Sequence, residues 1–592
     1  MTSRPGPVGR ATPMGHRNGM ASTGRMGRWQ EFLFLLAVLL ACGLALSKNH
    51  PDPDLWGHVQ YGRDMLAGGL PRTTTYSYTT QDYPWINHEI LSELLLAKGF
   101  DCLGPAGMLG LKCLLGVALI GTIVIRGARR GISLTAIGLV ALLVATNVMY
   151  FSMLRPQLLS FFFYTVLLLL LDHGFRDWQA LMRRKGAGEE PAAREALAAT
   201  MSRLCWLWCI PPLMALWANS HGGFVAGMGL LAVYLGVRVV EACRALGRRA
   251  LPLAGHCAAV VLASGLATLL NPYGAGLHAW LYDSLSQPRP EIIEWRPPEL
   301  LSPAWIPWWL LVAVSVACLV RGGGRIGGAE VAVLLLLLWQ SVDHRRHIPF
   351  FAIAFGMWLP VYVDELVGLL AASARPAAEA SRRSSRWLLA ALACVSLAIV
   401  PQLYGQLRVI PVMRGMYPVA AFQYMADQRL RGKLVVRFMW AQYALAAFGS
   451  PTGDPDSIQV AFDGRFDTCY PRDIIDSYFD FALGRHPKEP RYRSRRSPPL
   501  DPSRLLELGQ PDLALLGREQ PHPVRLLSGR PHEWVLLYQD QVAQLWGRRS
   551  KYGDPASPDY LPPHRRRVGN EEQKGYVPWP AFPVRHPQPS PR

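Results

Sequence analysis

Residues Asn49–Glu93, NHPDPDLWGHVQYGRDMLAGGLPRTTTYSYTTQDYPWINHEILSE, decide how the remainder of the chain is to be read. The stretch follows an apolar run directly. It gathers Asp52, Asp54, His58, His88 and Glu89 with Trp56 and Trp85, where a membrane protein ordinarily has a short polar link. Leu55, Val59, Met65 and Leu66 form one apolar face, and Ile86, Ile90, Leu91, Leu94 and Leu95 another, so two amphipathic helices are expected. Helices of that kind lie on a membrane surface with their polar sides toward water. Asp52 before Pro53 also reads as a helix start, the carboxylate capping free amides and proline taking the first helical position, and Asn87 suits the start of the second helix. Asp52 and Asp54 share a face only where the backbone is extended and diverge in a helix. One is therefore expected to be chemical and the other structural.

Working outward, the chain is 592 residues long, 50% hydrophobic and only 17% charged, which marks a polytopic α-helical membrane protein rather than a soluble domain. The net charge of +19 sits largely in short loops and the C-terminal tail, a membrane-topology pattern that gives no reason to expect nucleic acid. Seven of the ten cysteines (Cys42, Cys113, Cys205, Cys209, Cys257, Cys318 and Cys394) fall in apolar runs, and there is no CxxC zinc pattern or disulfide framework. Residues 1–28 form a basic segment before a run without an A-x-A type cleavage site, so residues about 30–47 are expected to be an uncleaved first span.

Apolar runs at about 30–47, 105–125, 132–152, 156–172, 204–220, 222–240, 252–270, 304–320, 329–342, 348–365 and 387–404 predict about eleven spans within a membrane domain, 29–404, whose first outer loop is 48–104. With that number, the basic clusters around Arg28, Arg130, Lys185, Arg249, Arg325 and Arg383 all fall on one side, which places 1–28 in the cytoplasm. The opening stretch, Arg155-Pro156-Gln157, Asn219 to Gly223, Asn271 to Gly274, Glu291 to Trp295 and Asp343 to His347 then collect on the outer side. Ionisable groups at a membrane boundary are costly, so their collection argues for a site there. Residues 405–550 alternate short strand-like runs with helical stretches and predict an α/β domain on the periplasmic side. A hairpin is expected near Asp540, and Asp463-Gly464-Arg465 is a turn signal that also suits contact with an acceptor. Residues 551–592, rich in Pro, Arg and His, are expected to be disordered.

This order of features resembles the GT-C superfamily, integral-membrane glycosyltransferases that use polyprenyl-phosphate-linked sugars, including protein mannosyltransferase and aminoarabinose transferase branches. The pattern Asp52-x-Asp54-x-Trp56-x-His58, followed by Pro84-Trp85-x-x-His88-Glu89, carries the resemblance, which covers roughly residues 30–365. It implies a GT-C-like fold in the bacterial inner membrane and a hexosyl- or pentosyltransferase. The partners it implies are a polyprenyl-phosphate-sugar donor, an envelope acceptor (lipid, glycan or protein) and the bilayer. It also implies that an acidic residue at the start of the first outer loop is the catalytic base, which favours Asp52, with Asp54, His88 and Glu89 beside it. A carboxylate within reach of the acceptor hydroxyl or amine, and positive charge at the departing phosphate, are what the chemistry needs.

Arg155, Arg345 and Arg346 are the candidates for the donor phosphate, since guanidinium groups bind it bidentately. Trp56, His58, Trp85, His221 and Asn271 are candidates for substrate contact. The Lys-Pro or His-Pro-Pro element of many relatives is replaced here by Trp85-Ile86-Asn87-His88-Glu89. No cofactor is specified. A divalent cation, Mg or Mn, suits the donor types present, with Asp52 and Asp54 as the ligands to examine. An O-antigen ligase or polymerase, or a non-enzymatic glycan or lipid transporter or binding protein, are the alternatives.

Overall fold

The computed structural model describes residues 28–186, 188–373, 381–450, 454, 457–485 and 491–584. The expected cytoplasmic segment 1–28 lies outside the described residues apart from the backbone of Arg28. Five helices open the described chain: α1 (Arg28–Leu46), α2 (Leu55–Gly68), α3 (Ile90–Arg129), α4 (Leu134–Val148) and α5 (Gln157–Gly174). Among the described residues seven helices are long and apolar enough to cross a membrane. The number is eight when Arg345–Trp358 and Pro360–Ala372, bent by 72° against each other, count as one span. The chain is thus an integral-membrane protein with fewer such helices than the eleven expected. The difference comes from apolar runs that fold into shorter pieces. Ile210–Ala218 has 9 helical residues and Gly328–Asp343 has 16, and at 1.5 Å per residue the first covers roughly 14 Å of a hydrocarbon core of about 30 Å. Residues 224–267 run through two helices joined by a 3-10 turn.

The amphipathic pair of the opening stretch is present but does not lie on a surface. Gly104 takes φ +64° and Pro105 follows it, so α3 divides into an amphipathic start and an apolar continuation. Helix α2 is packed on two sides, and most of it is buried. A Cβ on Gly62 would stand 2.1 Å from the backbone oxygen of Glu93 in α3, and one on Gly57 would stand 1.6 Å from Gln442 Oε1 of the C-terminal region. Leu66, counted in the apolar face, is exposed.

After the last apolar helix a six-stranded sheet forms from β2 (Gly432–Val436), β3 (Ile458–Val460), β4 (Leu513–Gly517), β5 (Trp534–Gln539), β6 (Ala543–Arg548) and β7 (Arg567–Val568). Its strand order is β3-β2-β4-β6-β5-β7, with β1 (Pro411–Met413) and β8 (Tyr576–Pro578) paired separately. The parallel pairs β2/β3 and β2/β4 are joined through helices, while β5 and β6 make the hairpin expected near Asp540. The Asp540 carboxylate closes it, accepting from the amides of Val542 and Ala543 at 2.7 Å each. Residues 551–584 are not the disordered tail that composition suggested. Their aromatics supply the burial that Pro and Arg lack: Trp579 and Ala581 are buried, and Val577 pairs with Val412. The tail beyond 584 lies outside the described residues.

The sheet region and the opening stretch share one core. Val460 donates its amide to the Tyr76 carbonyl at 3.0 Å and Thr79 Oγ1 donates to the Ala461 carbonyl at 2.6 Å, so the loop after α2 lies along the β3 edge. This covers an edge that would otherwise be open to pairing. At the end of α3 away from the opening stretch Arg126 meets Asp172 at 2.8 Å, and in the basic cluster before Gly328 Arg325 meets Glu365 at 2.7 Å.

Candidate functional site

Between the opening stretch, the helix ends and the sheet region lies a cavity of about 640 Å³. Asp54, His58, Trp85, His88, Glu89, Arg155, His221 and Arg346 all line it, whereas Asp52 does not. The local backbone explains the split. Asp52 is buried, and its Oδ1 accepts the Asp54 amide at 2.9 Å in a turn that starts α2. Asp54 heads the helix without capping it and leaves its side chain a quarter exposed to the cavity.

Arg155, in the turn before α5, bridges three carboxylates. Its Nε lies 3.4 Å from Asp52 Oδ2, its Nη2 3.3 Å from Asp54 Oδ2 and its Nη1 2.6 Å from Glu294 Oε1. Burial, and then the neighbouring Asp52 charge, push the Asp54 carboxyl up to about 7 against the pull of Arg155. Burial raises Asp52 as well. Glu294 is held below the usual carboxylate range, since Arg155 and Arg346 outweigh its burial.

A second cluster centres on Glu89. His58 Nδ1 lies 3.1 Å from Glu93 Oε1 and 3.7 Å from Glu89 Oε2. Burial disfavours charge on His58, yet the hydrogen bond to Glu93 and the charges of Glu89, Glu93 and Asp54 lift it to about 9. Glu89 is lowered in spite of its own burial by His88, His58, His221 and Arg155. Asn87 Oδ1 accepts the Glu89 amide at 2.9 Å, and Asn87 Nδ2 donates to Glu93 Oε2 at 2.6 Å. His221 Nδ1 accepts the Gly223 amide at 3.0 Å and the Ser160 hydroxyl at 2.8 Å, while Ser160 Oγ accepts from Trp217 Nε1 at 2.7 Å. That network assigns the neutral ring's proton to Nε2, which lies 3.8 Å from Glu89 Oε1. Burial pushes His221 down to about 3 and keeps it neutral.

The positive side of the cavity is Arg346. Its guanidinium lies over the Trp295 ring at 4.5 Å, Arg289 lies over the same ring at 4.8 Å, and Arg289 is tied to Asp467 Oδ2 at 2.6 Å. Arg346 makes no ion pair among the described residues.

Besides Asp52, three residues expected at the site lie off the cavity. Trp56 is fully buried, donates to the Pro580 carbonyl at 2.8 Å and stacks on Tyr443 at 4.7 Å, because α2 turns that face into the sheet region. Asn271 ties its own turn together, donating to the Thr268 carbonyl at 2.8 Å and accepting the Tyr273 amide at 2.8 Å. Arg345 points away, to the Pro297 carbonyl at 3.0 Å and Glu299 at 3.0 Å. The adjacent Arg346 faces the cavity because neighbouring residues of a tight turn point apart. Sequence reasoning passed over Glu93, Glu294, Arg289 and Gln442. Glu93 had a signal, since it stands four residues after Glu89 and shares its helical face. Glu294 had one too, an acid between Ile293 and Trp295.

A cation between Asp52 and Asp54 does not fit, because the Arg155 guanidinium already occupies the space facing both. Among the described residues the group whose donor atoms lie close enough, all within 4.8 Å, is His58, Glu89 and Glu93. There a divalent ion would have to displace the proton that His58 holds at neutral pH.

No protein-family model matches the chain, and no curated protein matches it. Among solved structures the chain is similar to ArnT from Cupriavidus metallidurans in the apo state. The identity is 14% and the TM-score 0.45, over 87% of this chain and 97% of that one. The same protein bound to undecaprenyl phosphate is similar at 14% identity and a TM-score of 0.45, over 90% of this chain and 99% of that one.

Proposed function

We propose that this chain is an integral-membrane glycosyltransferase that moves a hexose or pentose from a polyprenyl-phosphate carrier to an acceptor of the cell envelope. It would work on the outer face of the bacterial inner membrane. The observation that carries this reading is the placement of Asp54 and an unpaired Arg346 around one cavity of about 640 Å³ at the end of the apolar helices. That is ample for a sugar phosphate, since ligand sites run to roughly 300–1,000 Å³.

The chemistry assigns a role to each group. Asp54 takes the proton from the acceptor hydroxyl or amine as its oxygen or nitrogen bonds to the anomeric carbon. The bond from that carbon to the phosphate oxygen breaks, the phosphate leaves with the electron pair, and Arg346 meets its charge. Arg155 is too heavily engaged to clamp a phosphate and instead holds Asp54 in place through the same fork that binds Asp52 and Glu294. His221, neutral with its proton on Nε2, and Glu89 beside it suit contact with sugar hydroxyls. The resemblance of the opening stretch to the GT-C pattern supports a transferase with an acidic base in this loop; it favours Asp52, whereas the cavity lining favours Asp54.

The positive-inside rule supports an outward-facing cavity. The cluster at Arg130 lies at the end of α3 away from the opening stretch, and that at Arg325 lies before Gly328–Asp343, the helix whose other end lines the cavity, so the cavity is assigned to the outer side. The test uses protein purified in lipid nanodiscs, polyprenyl phosphates carrying hexose or pentose, and a lipid and glycan extract of the cell envelope as acceptor. Mass spectrometry should find a glycosylated product and released polyprenyl phosphate. Absence of product with every donor would overturn the reading.

A further inference from the structure

The turn after β3, Asp463-Gly464-Arg465, has no part in the steps above, yet Gly464 and Arg465 line the cavity. A Cβ on Gly464 would stand 2.1 Å from Asp54 Oδ1, so the turn lies directly against the proposed base. Arg465 is 7% exposed. Its Nε donates to Asp463 Oδ1 at 3.0 Å and its Nη2 to Asp463 Oδ2 at 2.8 Å, while Nη1 is buried with no hydrogen-bond partner among the described residues. Asp463 itself is saturated, since it also accepts the Arg465 amide at 2.9 Å and the Tyr470 hydroxyl at 2.7 Å. A buried donor without a partner is costly, and a water, an ion or a ligand group completes such a donor.

The surroundings identify the chemistry of that ligand. The guanidinium lies over the rings of Trp85 at 4.8 Å and Tyr61 at 5.2 Å, both of which line the cavity. Asp463 neutralises the arginine, so the pair offers N–H donors without net charge. That combination of aromatic rings and uncharged donation suits hydroxyl oxygens of a sugar ring, whereas the phosphodiester anion is drawn to Arg346, which has no ion pair among the described residues. The depth of Arg465 favours the sugar of the bound donor over an incoming acceptor.

We propose that Arg465, set by Asp463 and the Trp85 and Tyr61 rings, recognises the neutral sugar ring of the donor. The C-terminal sheet region thereby takes part in choosing which sugar is transferred. The proposal rests on the transferase reading. Its test measures binding to full-length protein in nanodiscs with three probes: bare polyprenyl phosphate, its mannosyl conjugate and its arabinosyl conjugate. Two variants are compared with the wild type. Arg465→Lys keeps the charge opposite Asp463 but lacks the fork, and the pair Asp463→Asn with Arg465→Gln strands no buried charge. Thermal melting of each shows that it folds.

Wild type should bind one conjugate at least about tenfold more tightly than the bare lipid. Both variants should bind bare lipid as wild type does and lose most of that preference. Variants that keep the preference, or that lose bare lipid to the same extent, would overturn the proposal. Wild type binding bare and conjugated lipid alike would overturn it while leaving the transferase reading in place. Wild type binding none of the three would remove the transferase reading and this proposal with it, and the wild-type comparison holds even where a variant unfolds.

Discussion

Arg155 decides how the acidic residues behave, because a single guanidinium touches Asp52, Asp54 and Glu294, and of the two aspartates only Asp54 lines the cavity. Asp54→Asn keeps the size and much of the hydrogen bonding but removes the base, and transfer should fall by roughly 10²- to 10⁴-fold. Asp52→Asn should cost less in rate and show itself more in thermal unfolding, since Asp52 holds the α2 turn from behind. Equal rates in wild type and Asp54→Asn would remove the base assignment.

The pH dependence follows from the same geometry. Asp54 must be ionised to accept a proton, and its carboxyl is lifted to about 7, so kcat/KM should rise with pH through about 7. Stability runs the other way at this residue. Between about pH 4 and 7 the folded chain keeps a proton there that the unfolded chain has lost, so this contribution falls as pH rises through that window. A rate flat from pH 5 to 8 would show that Asp54 does not titrate in the step.

The sequence told the two aspartates apart only in principle: spacing required that they diverge, but which one faced the cavity depended on a three-residue turn. Arg346 over Arg345 was likewise beyond the reach of pattern. Glu89 and Glu93, four apart on a helix, were within it.

At the scale of elements, α2 is the instructive case. Its apolar pattern was legible, and its existence followed, but amphipathicity alone does not say whether an apolar face meets lipid or protein. Gly57 and Gly62 held the missing signal. Five residues place them about 140° apart around the helix, and both permit close approach, so the helix is packed from two directions. Gly62→Ala sets a methyl group against the Glu93 carbonyl, which is backbone and yields little. Overpacking of this kind costs about 1–3 kcal/mol. Thermal unfolding should register that loss, and because Glu93 pairs with His58, transfer should fall as well. Gly68→Ala, with open space around its Cβ, should leave both unchanged. If Gly62→Ala melts with the wild type, the close packing of α2 on α3 is wrong.

For the whole molecule, the sequence revealed the membrane class and the change to a sheet-bearing C-terminal region, because both depend on composition and local period. The number of spans and the fate of residues 551–584 depend on contacts between distant segments. Pairing of β1 with β8 joins residues on either side of the entire sheet, and the burial of Trp579 near Trp56 joins the two ends of the chain. Neither leaves a local trace. Sidedness is tested by reporter fusions. Those after Arg130, Lys185 and Arg249 should read cytoplasmic, and one after Ser550 should read external. A cytoplasmic reading at Ser550 would put the cavity on the side where nucleotide sugars, rather than lipid-linked ones, are at hand.

The central claim is that one cavity holds both the donor phosphate and the base, and a structure of the full-length protein with bound polyprenyl phosphate tests it most directly. The account predicts phosphate oxygens about 3 Å from the Arg346 guanidinium, the Asp54 carboxylate facing the same space, and the isoprenoid chain leaving between the apolar helices. A lipid phosphate bound outside the space lined by Asp54 and Arg346 would contradict it.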